Sequence, residues 1–259
     1  MELLMISEKD LVNFENDGYV ILRNFIENKW LQDVKTDIEE LGKIVLGQNF
    51  SFENFLEIEC SEIQQSLIYD RLKYCPSLHR ISSNERIMSL CKSIGLNTPH
   101  LMGCCNMRMD KPNGKHLFDW HQDSLYLLGS LNAITIWFPI SNKVDSYHGT
   151  IEVIPGSHKK GILPFKKISD KPIEEYIPFY QRDLNLDMEV LDKPVLIEAE
   201  FGDCVIFKQM LLHRSTQNFS NEIRWTGQLR ITDLSCEIYR REKFPTGDKT
   251  NIFFVNYDL

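Results

Sequence analysis

No run of eighteen apolar residues occurs anywhere in this 259-residue chain, so no transmembrane helix is expected. A basic excess is missing too. Lys and Arg number 29 against 37 Asp and Glu, for a net charge of -8, which argues against a nucleic-acid partner held by the protein's overall field. The seven cysteines contain no C-x-x-C pair. An odd count without that spacing fits a reducing compartment rather than a disulfide framework. Cys104 and Cys105 read as small residues on alternate sides of a strand. The opening Met1 to Glu8 carries an acid where a secretory leader wants bases, and its apolar stretch is short, so a cytoplasmic location is expected. Internal repeats, low-complexity tracts and an evident inter-domain linker are also lacking, and one domain over residues 1–259 is the expectation.

What is present falls into two characters. The first part, residues 1–98, reads as mainly helical. Ser7 with Asp10 three positions on opens a short helix to Asn16, Gly18 ends it, and Tyr19 to Phe25 is rich in β-branched and aromatic residues, as a strand would be. From Asn28 to Leu46, the residues Trp30, Val34, Ile38, Leu41 and Val45 fall on a helical stripe. A second stripe is Ile63, Leu67, Ile68 and Leu72, and a third helix runs from Asn84 to Ser93 before Gly95. These stripes read as packing surfaces. From His100, short apolar runs alternate with Gly, Pro, Asn and Asp: Leu101–Met109, Leu117–Asp123, Ala133–Ile140, Thr150–Ile154, Val195–Glu200, Cys204–Phe207, Leu211–Thr216 and Ile223–Leu234. Eight such strands suggest a two-sheet jelly roll over residues 99–234. Residues 165–194 lack a clear period and read as an inserted lid. Residues 235–259 follow as a C-terminal extension.

Within the β region one pattern carries chemistry. His121 and Asp123 are two apart, a spacing that places both side chains on one side of a strand, and His213 follows about ninety residues on. Two imidazoles and a carboxylate on one face of an ion leave positions open, as in the non-haem Fe(II) oxygenases. An H-x-[DE] triplet alone is weak: with 7 His and 37 acids in 259 positions, about one arises by chance. The surroundings strengthen it. Ser215 lies two past His213, and Arg224 further on supplies the fixed fork of donors that a carboxylate ligand needs. Asp203 sits in a turn feeding the strand toward His213.

Several stretches together resemble the phytanoyl-CoA dioxygenase (PhyH-like) family of Fe(II)/2-oxoglutarate-dependent oxygenases: Asp17 to Phe25, Trp120-His121-Gln122-Asp123, Ala133 to Trp137, Val153 to Lys159, and Gly202-Asp203 through His213-Arg214-Ser215 to Arg224. They occur in the family's order across nearly the whole chain. The resemblance implies a mainly β fold with a double-stranded β-helix (jelly-roll, cupin-like) core and N-terminal helices packed on one sheet. It implies His121, Asp123 and His213 as iron ligands, Arg224 as the partner of the distal carboxylate of 2-oxoglutarate, and Ser215 and Trp137 as further lining of the co-substrate pocket. With Fe(II), 2-oxoglutarate and O2, the implied reaction hydroxylates a C–H bond and releases succinate and CO2. A carboxylate at position 123, where related halogenases have a small residue, points away from halogenation and toward hydroxylation or another two-electron oxidation such as desaturation or ring closure. This chain has His148-Gly149 where the family usually has Asn-Gly.

Substrate determinants are harder to read. If Arg224 points inward, period two puts Thr226, Gln228 and Arg230 on the same face, and Arg108 precedes the metal motif on another strand. A buried Arg needs an anionic partner. That partner is either a carboxylate, phosphate or phosphonate on a small polar substrate or an internal Asp or Glu. Tyr126 lines the pocket or the core. Two other readings stay open: a cupin-type oxygenase that uses no 2-oxoglutarate, and a non-catalytic jelly-roll binding protein. Oligomeric state is not legible.

Overall fold

The computed structural model describes residues 6–103, 105–114, 117–125, 127–163, 166–167, 182–183 and 193–243. Among the described residues, six α-helices are formed: α1 Glu8–Asp17, α2 Asn28–Leu46, α3 Glu62–Leu72, α4 Pro76–Ser82, α5 Glu85–Ser93 and α6 Glu237–Arg241. The strands are β1 Tyr19–Leu22, β2 Pro99–Leu101, β3 Asn106–Asp110, β4 Ile134–Pro139, β5 Lys143–Val144, β6 Ile151–Val153, β7 Lys166–Lys167, β8 Arg182–Asp183, β9 Val195–Leu196, β10 Ala199–Glu200, β11 Cys204–Lys208, β12 His213–Ser215 and β13 Arg224–Asp233.

Local chemistry sets the helix ends. The Ser7 hydroxyl accepts from the Asp10 amide, and Gly18 closes α1 with φ +82°, a left-handed conformation that costs glycine little. The α3 helix starts with a capping box of Ser61 and Gln64. Its expected stripe is half right: Ile68 and Leu72 are buried, whereas Ile63 and Leu67 are exposed. The helix α4 was not anticipated from periodicity; proline at its first position and Cys75 as its cap are its local signals.

The main sheet runs β1-β11-β4-β13-β2, with β3 also pairing β13, and every pairing is antiparallel. Alternation along its strands divides two cores. Ile134, Ile136 and Phe138 of β4, Cys204 and Ile206 of β11, and Trp225, Leu229 and Ile231 of β13 pack with Leu31, Val34 and Ile38 of α2 and with residues of α3 to α5. Trp137 of β4 and Val205 and Phe207 of β11 face the other way. They pack on Val144 of β5, Ile151 and Val153 of β6 and Ala199 of β10, in the small sheets β12-β6-β9 and β10-β5. Helices thus cover one face of the main sheet and a second antiparallel layer covers the other, the layering of a jelly roll.

The sequence runs were coarser than the elements. Leu101–Met109 splits into β2 and β3 around Gly103, whose φ is +63°. Val195–Glu200 splits into β9 and β10, and the short β5 lay unread. The proposed lid over 165–194, the C-terminal extension beyond Lys243, Cys104 and Tyr126 lie largely or wholly outside the described residues. Among the described residues, no helix is long and apolar enough to cross a membrane.

Asp203 staples the N-terminal strand to the β region. Its Oδ1 accepts from the Asn24 amide, and its Oδ2 accepts from the Glu200 amide and from Arg23. The Arg23 side chain is largely exposed, so that ion pair contributes little, but two backbone donors depend on this one buried carboxylate. Asp203→Ala is expected to cost about 1–3 kcal/mol, read as a lower urea midpoint with an unchanged denaturant slope.

Candidate metal centre and co-substrate site

His121 and His213 are backbone neighbours. Each amide donates to the other's carbonyl at 3.0 Å, an isolated antiparallel bridge, and their rings lie 4.2 Å apart between centroids. Asp123 is not on a strand with His121, contrary to the H-x-D expectation. It begins a 3-10 turn, Asp123–Leu125. Two features account for the departure. Gln122 points away from the site and is tied down there, donating to the Gly161 and Met210 carbonyls and accepting from the Leu163 amide. Asp123 is gripped from the sheet instead: Arg230 Nη2 donates to its Oδ1 at 2.8 Å, and the Thr135 hydroxyl donates to its Oδ2.

Among the described residues, His121, Asp123 and His213 form the one group of His, Cys, Asp and Glu side chains suited to hold a metal ion. Their candidate ligand atoms lie within 4.8 Å of one another, and all three residues are buried. The imidazoles are prepared for that role. His121 Nδ1 lies 2.6 Å from the Asp119 carbonyl and His213 Nδ1 lies 2.9 Å from the Leu211 carbonyl. A carbonyl only accepts, so Nδ1 carries the proton in both rings and Nε2 presents its lone pair. Burial pulls the His121 pKa down to about 3, helped by the neighbouring His213; burial lowers His213 as well. Both rings are therefore neutral, the state a metal requires. Burial opposes ionisation of Asp123, but the charge and hydrogen bond of Arg230 outweigh it and hold the carboxylate ionised.

The guanidinium of Arg224 lies on the same inner face, at the start of β13. It is 3% exposed. Its Nε and Nη2 donate to Asp110 Oδ2 at 3.2 and 2.8 Å, and its Nη1 donates to the Thr150 carbonyl at 3.0 Å. Arg108 donates to the other Asp110 oxygen at 2.6 Å and approaches the Ser215 hydroxyl at 3.4 Å, while its guanidinium stacks over Phe118. Burial works against the Asp110 charge, yet the two arginines bring its pKa down to about 2. Two cations on one carboxylate leave a net positive charge beside Ser215, which suits a further carboxylate from a ligand. The Thr226 hydroxyl, on the same face two residues past Arg224, is buried with no partner. A polar ligand on this face would give that hydroxyl the bond it lacks.

The structure brings together His121, Asp123 and His213, and it brings together Arg224, Arg108 and Ser215. Trp137 is buried on the inner face, opposite Gln228 and Val205 in register, and Gln228 is half-buried between Thr226 and Arg230. The inward row Arg224, Thr226, Gln228, Arg230 is as period two requires. For Arg108 and Arg230 the internal-partner alternative is the one realised: Arg108 pairs with Asp110, and Arg230 pairs with the metal motif's own Asp123. Asp110 and Thr135 were missed. Asp110 joins Arg108, two residues away, to Arg224, 114 residues away, and Thr135 reaches Asp123 across 12 residues; neither pairing follows from a local pattern. His148 packs its Nδ1 on Asp145 three residues away, and the His158 ring contacts the Glu15 carbonyl of α1, 143 residues away.

Two histidines and one carboxylate buried together in a two-layer antiparallel β fold are the ligand set of the non-haem iron oxygenases. Comparison with known proteins narrows this. The family model "Phytanoyl-CoA dioxygenase (PhyH)" matches residues 14–226, and the chain belongs to that family. It is 21% identical over 254 residues to a phytanoyl-CoA dioxygenase domain-containing protein 1 homolog of Dictyostelium discoideum, covering 85% of this chain and 89% of that one. It is 23% identical over 242 residues to the peroxisomal phytanoyl-CoA dioxygenase of Bos taurus, covering 86% and 67%. In fold it matches EctD from S. alaskensis, solved with 2-oxoglutarate and 5-hydroxyectoine, with a TM-score of 0.65 at 15% identity, covering 91% of this chain and 79% of that one. The protein is an Fe(II)/2-oxoglutarate-dependent dioxygenase.

Proposed function

We propose that His121, Asp123 and His213 hold the iron through two Nε2 atoms and one carboxylate oxygen, and that Arg224, with Ser215 and Arg108 beside it, receives the distal carboxylate of 2-oxoglutarate. The substrate is a small polar metabolite hydroxylated at a C–H bond, on a core closed as a double-stranded β-helix within one domain. The observation that carries this reading is the pairing of two proton-fixed, neutral imidazoles and an ionised aspartate with a buried guanidinium on the same inner face.

When bound, the iron activates O2, so that 2-oxoglutarate is oxidised to succinate and CO2 while one oxygen atom enters the substrate C–H bond. The chain's own residues do the rest. Arg224 supplies an always-charged planar fork at fixed depth, and Asp110 holds that fork in plane. Ser215 and Thr226 offer hydroxyls along the length of a five-carbon diacid. Trp137 and Phe207 form an apolar wall that excludes water, so the charge pairs act in a low dielectric. Because Arg108 stands beside Arg224 at the co-substrate end and Arg230 grips Asp123, the substrate's polar contacts fall to Gln228.

An anaerobic titration with Fe(II) and 2-oxoglutarate tests the proposal. A visible charge-transfer band is expected from the chelate. A folded protein that gives no band would instead be a binding module on the same scaffold. A band that persists unchanged in Arg224→Ala would refute the assigned co-substrate anchor. A metabolite screen following succinate release then finds the substrate.

Gly149 tests the back wall of the co-substrate site. Its φ is +74°, and a Cβ there would stand 3.0 Å from Arg224 Nη1, from the Asn218 amide and from the Gln217 carbonyl. Gly149→Ala is expected to cost about 1–2 kcal/mol from the left-handed backbone and to raise the KM for 2-oxoglutarate by displacing Arg224. Thermal unfolding and uncoupled 2-oxoglutarate turnover check the two effects separately.

A further inference from the structure

Thr135 of β4 and Arg230 of β13 stand directly opposite each other in the sheet register. Both project from the inner face, since their strand neighbours Ile134, Ile136, Leu229 and Ile231 belong to the helix-side core. From there each donates to a different oxygen of Asp123, Thr135 to Oδ2 and Arg230 Nη2 to Oδ1 at 2.8 Å. Thr135 and Asp123 are almost fully buried, and the Arg230 side chain is 15% exposed. Asp123 itself lies in a 3-10 turn, with no strand ladder to orient it.

We infer that Thr135 and Arg230 form a cross-strand positioning pair for the metal-binding carboxylate: they fix which Asp123 lone pair faces the ion, and Arg230 acts through Asp123 rather than on the substrate. This inference rests on the iron reading given above. The physical case is one of constraint. A carboxylate at a turn can rotate about its side-chain bonds and bind an ion through either oxygen or both. A donor on each oxygen removes that freedom and leaves one remaining lone pair on each oxygen. The pair also bears on reactivity, because hydrogen bonds to a ligating carboxylate withdraw charge from it and weaken what each oxygen offers an ion.

Two effects of removing Arg230 oppose each other. Loss of a cation near the ion favours metal binding, while loss of the grip leaves Asp123 buried without its partner. Thr135 separates them, because Thr135→Val removes only a hydroxyl and changes no charge.

The test is Mn(II) titration of the full chain, followed by electron paramagnetic resonance, on wild type, Thr135→Val, Thr135→Ser, Arg230→Met and His213→Ala. Mn(II) is used alone, so that no turnover is involved, and thermal unfolding of each metal-free protein confirms that it folds. Loss of an outer-shell partner typically weakens metal binding 10–100-fold. Thr135→Val and Arg230→Met are expected to fall in that range, with Thr135→Ser within about threefold of wild type. A folded Thr135→Val and Arg230→Met that both bind Mn(II) as wild type does, beside a His213→Ala that does not, would overturn the positioning role and leave the metal centre standing. A role in fold stability alone would lower the unfolding temperature without moving the Mn(II) affinity, which also overturns it. Failure of wild type itself to bind Mn(II) would remove the metal reading and this inference together.

Discussion

His213→Ala is expected to abolish metal binding in the working range and to bring 2-oxoglutarate turnover to the background. His213 contributes one of three ligand atoms, and no other His, Cys, Asp or Glu among the described residues completes such a group. Losing a ligand outright should exceed the 10–100-fold cost of losing an outer-shell partner, so at least about 100-fold weaker binding is expected. The fold should survive. His213 also makes the β-bridge to His121 through its backbone amide and carbonyl, which alanine keeps. Anaerobic Fe(II) titration with parallel circular dichroism distinguishes the outcomes. A variant that still binds iron within tenfold of wild type would show that the ion sits elsewhere.

The second large effect is expected at Arg224. Truncating one partner of a buried, hydrogen-bonded charge pair formed on binding costs about 2–5 kcal/mol, and a tenfold change in an equilibrium constant corresponds to about 1.4 kcal/mol. Arg224→Met should therefore raise the KM for 2-oxoglutarate by about 30–3000-fold. Arg224→Lys should recover only part of this, because a point charge cannot contact Asp110, the Thr150 carbonyl and a ligand carboxylate together. The same variants should lose stability, since Asp110 is left with Arg108 alone. The sign of the pH dependence follows from Asp110. Its pKa in the fold is about 2, below its ordinary 3.8, so its contribution is complete above pH 3.8 and is lost as the pH falls through about 2. Acid unfolding of wild type should thus steepen toward pH 2, and Arg224→Met should move that feature to higher pH and weaken it, because Arg108 alone then holds the carboxylate.

The helices were legible where local chemistry sets them. Ser7 and Gly18 mark the ends of α1, and the stripe from Trp30 to Val45 marks α2. The inward row on β13 followed from the two-residue period once Arg224 was placed. The metal trio was legible as a pattern, but its local structure was not. The strand expected to carry His121 and Asp123 gives way to a turn, because Gln122 and Asp123 find partners 12 to 107 residues away and those contacts override strand propensity. The partners of Arg108, Arg224 and Arg230 were undetermined for the same reason. A sequence shows that a buried guanidinium needs an anion; it does not show whether that anion is Asp110, Asp123 or a ligand. Tyr126 and most of the inserted segment lie outside the described residues.

The bridge between His121 and His213 has a consequence for quality control. Because the two imidazoles are aligned by paired main-chain bonds, a slip of one residue in either segment would turn its ring to the opposite side. A chain trapped in that state could look well folded by its helical content yet take up no ion. Metal stoichiometry is therefore a sharper assay of correct strand alignment in this protein than any bulk spectroscopic signal.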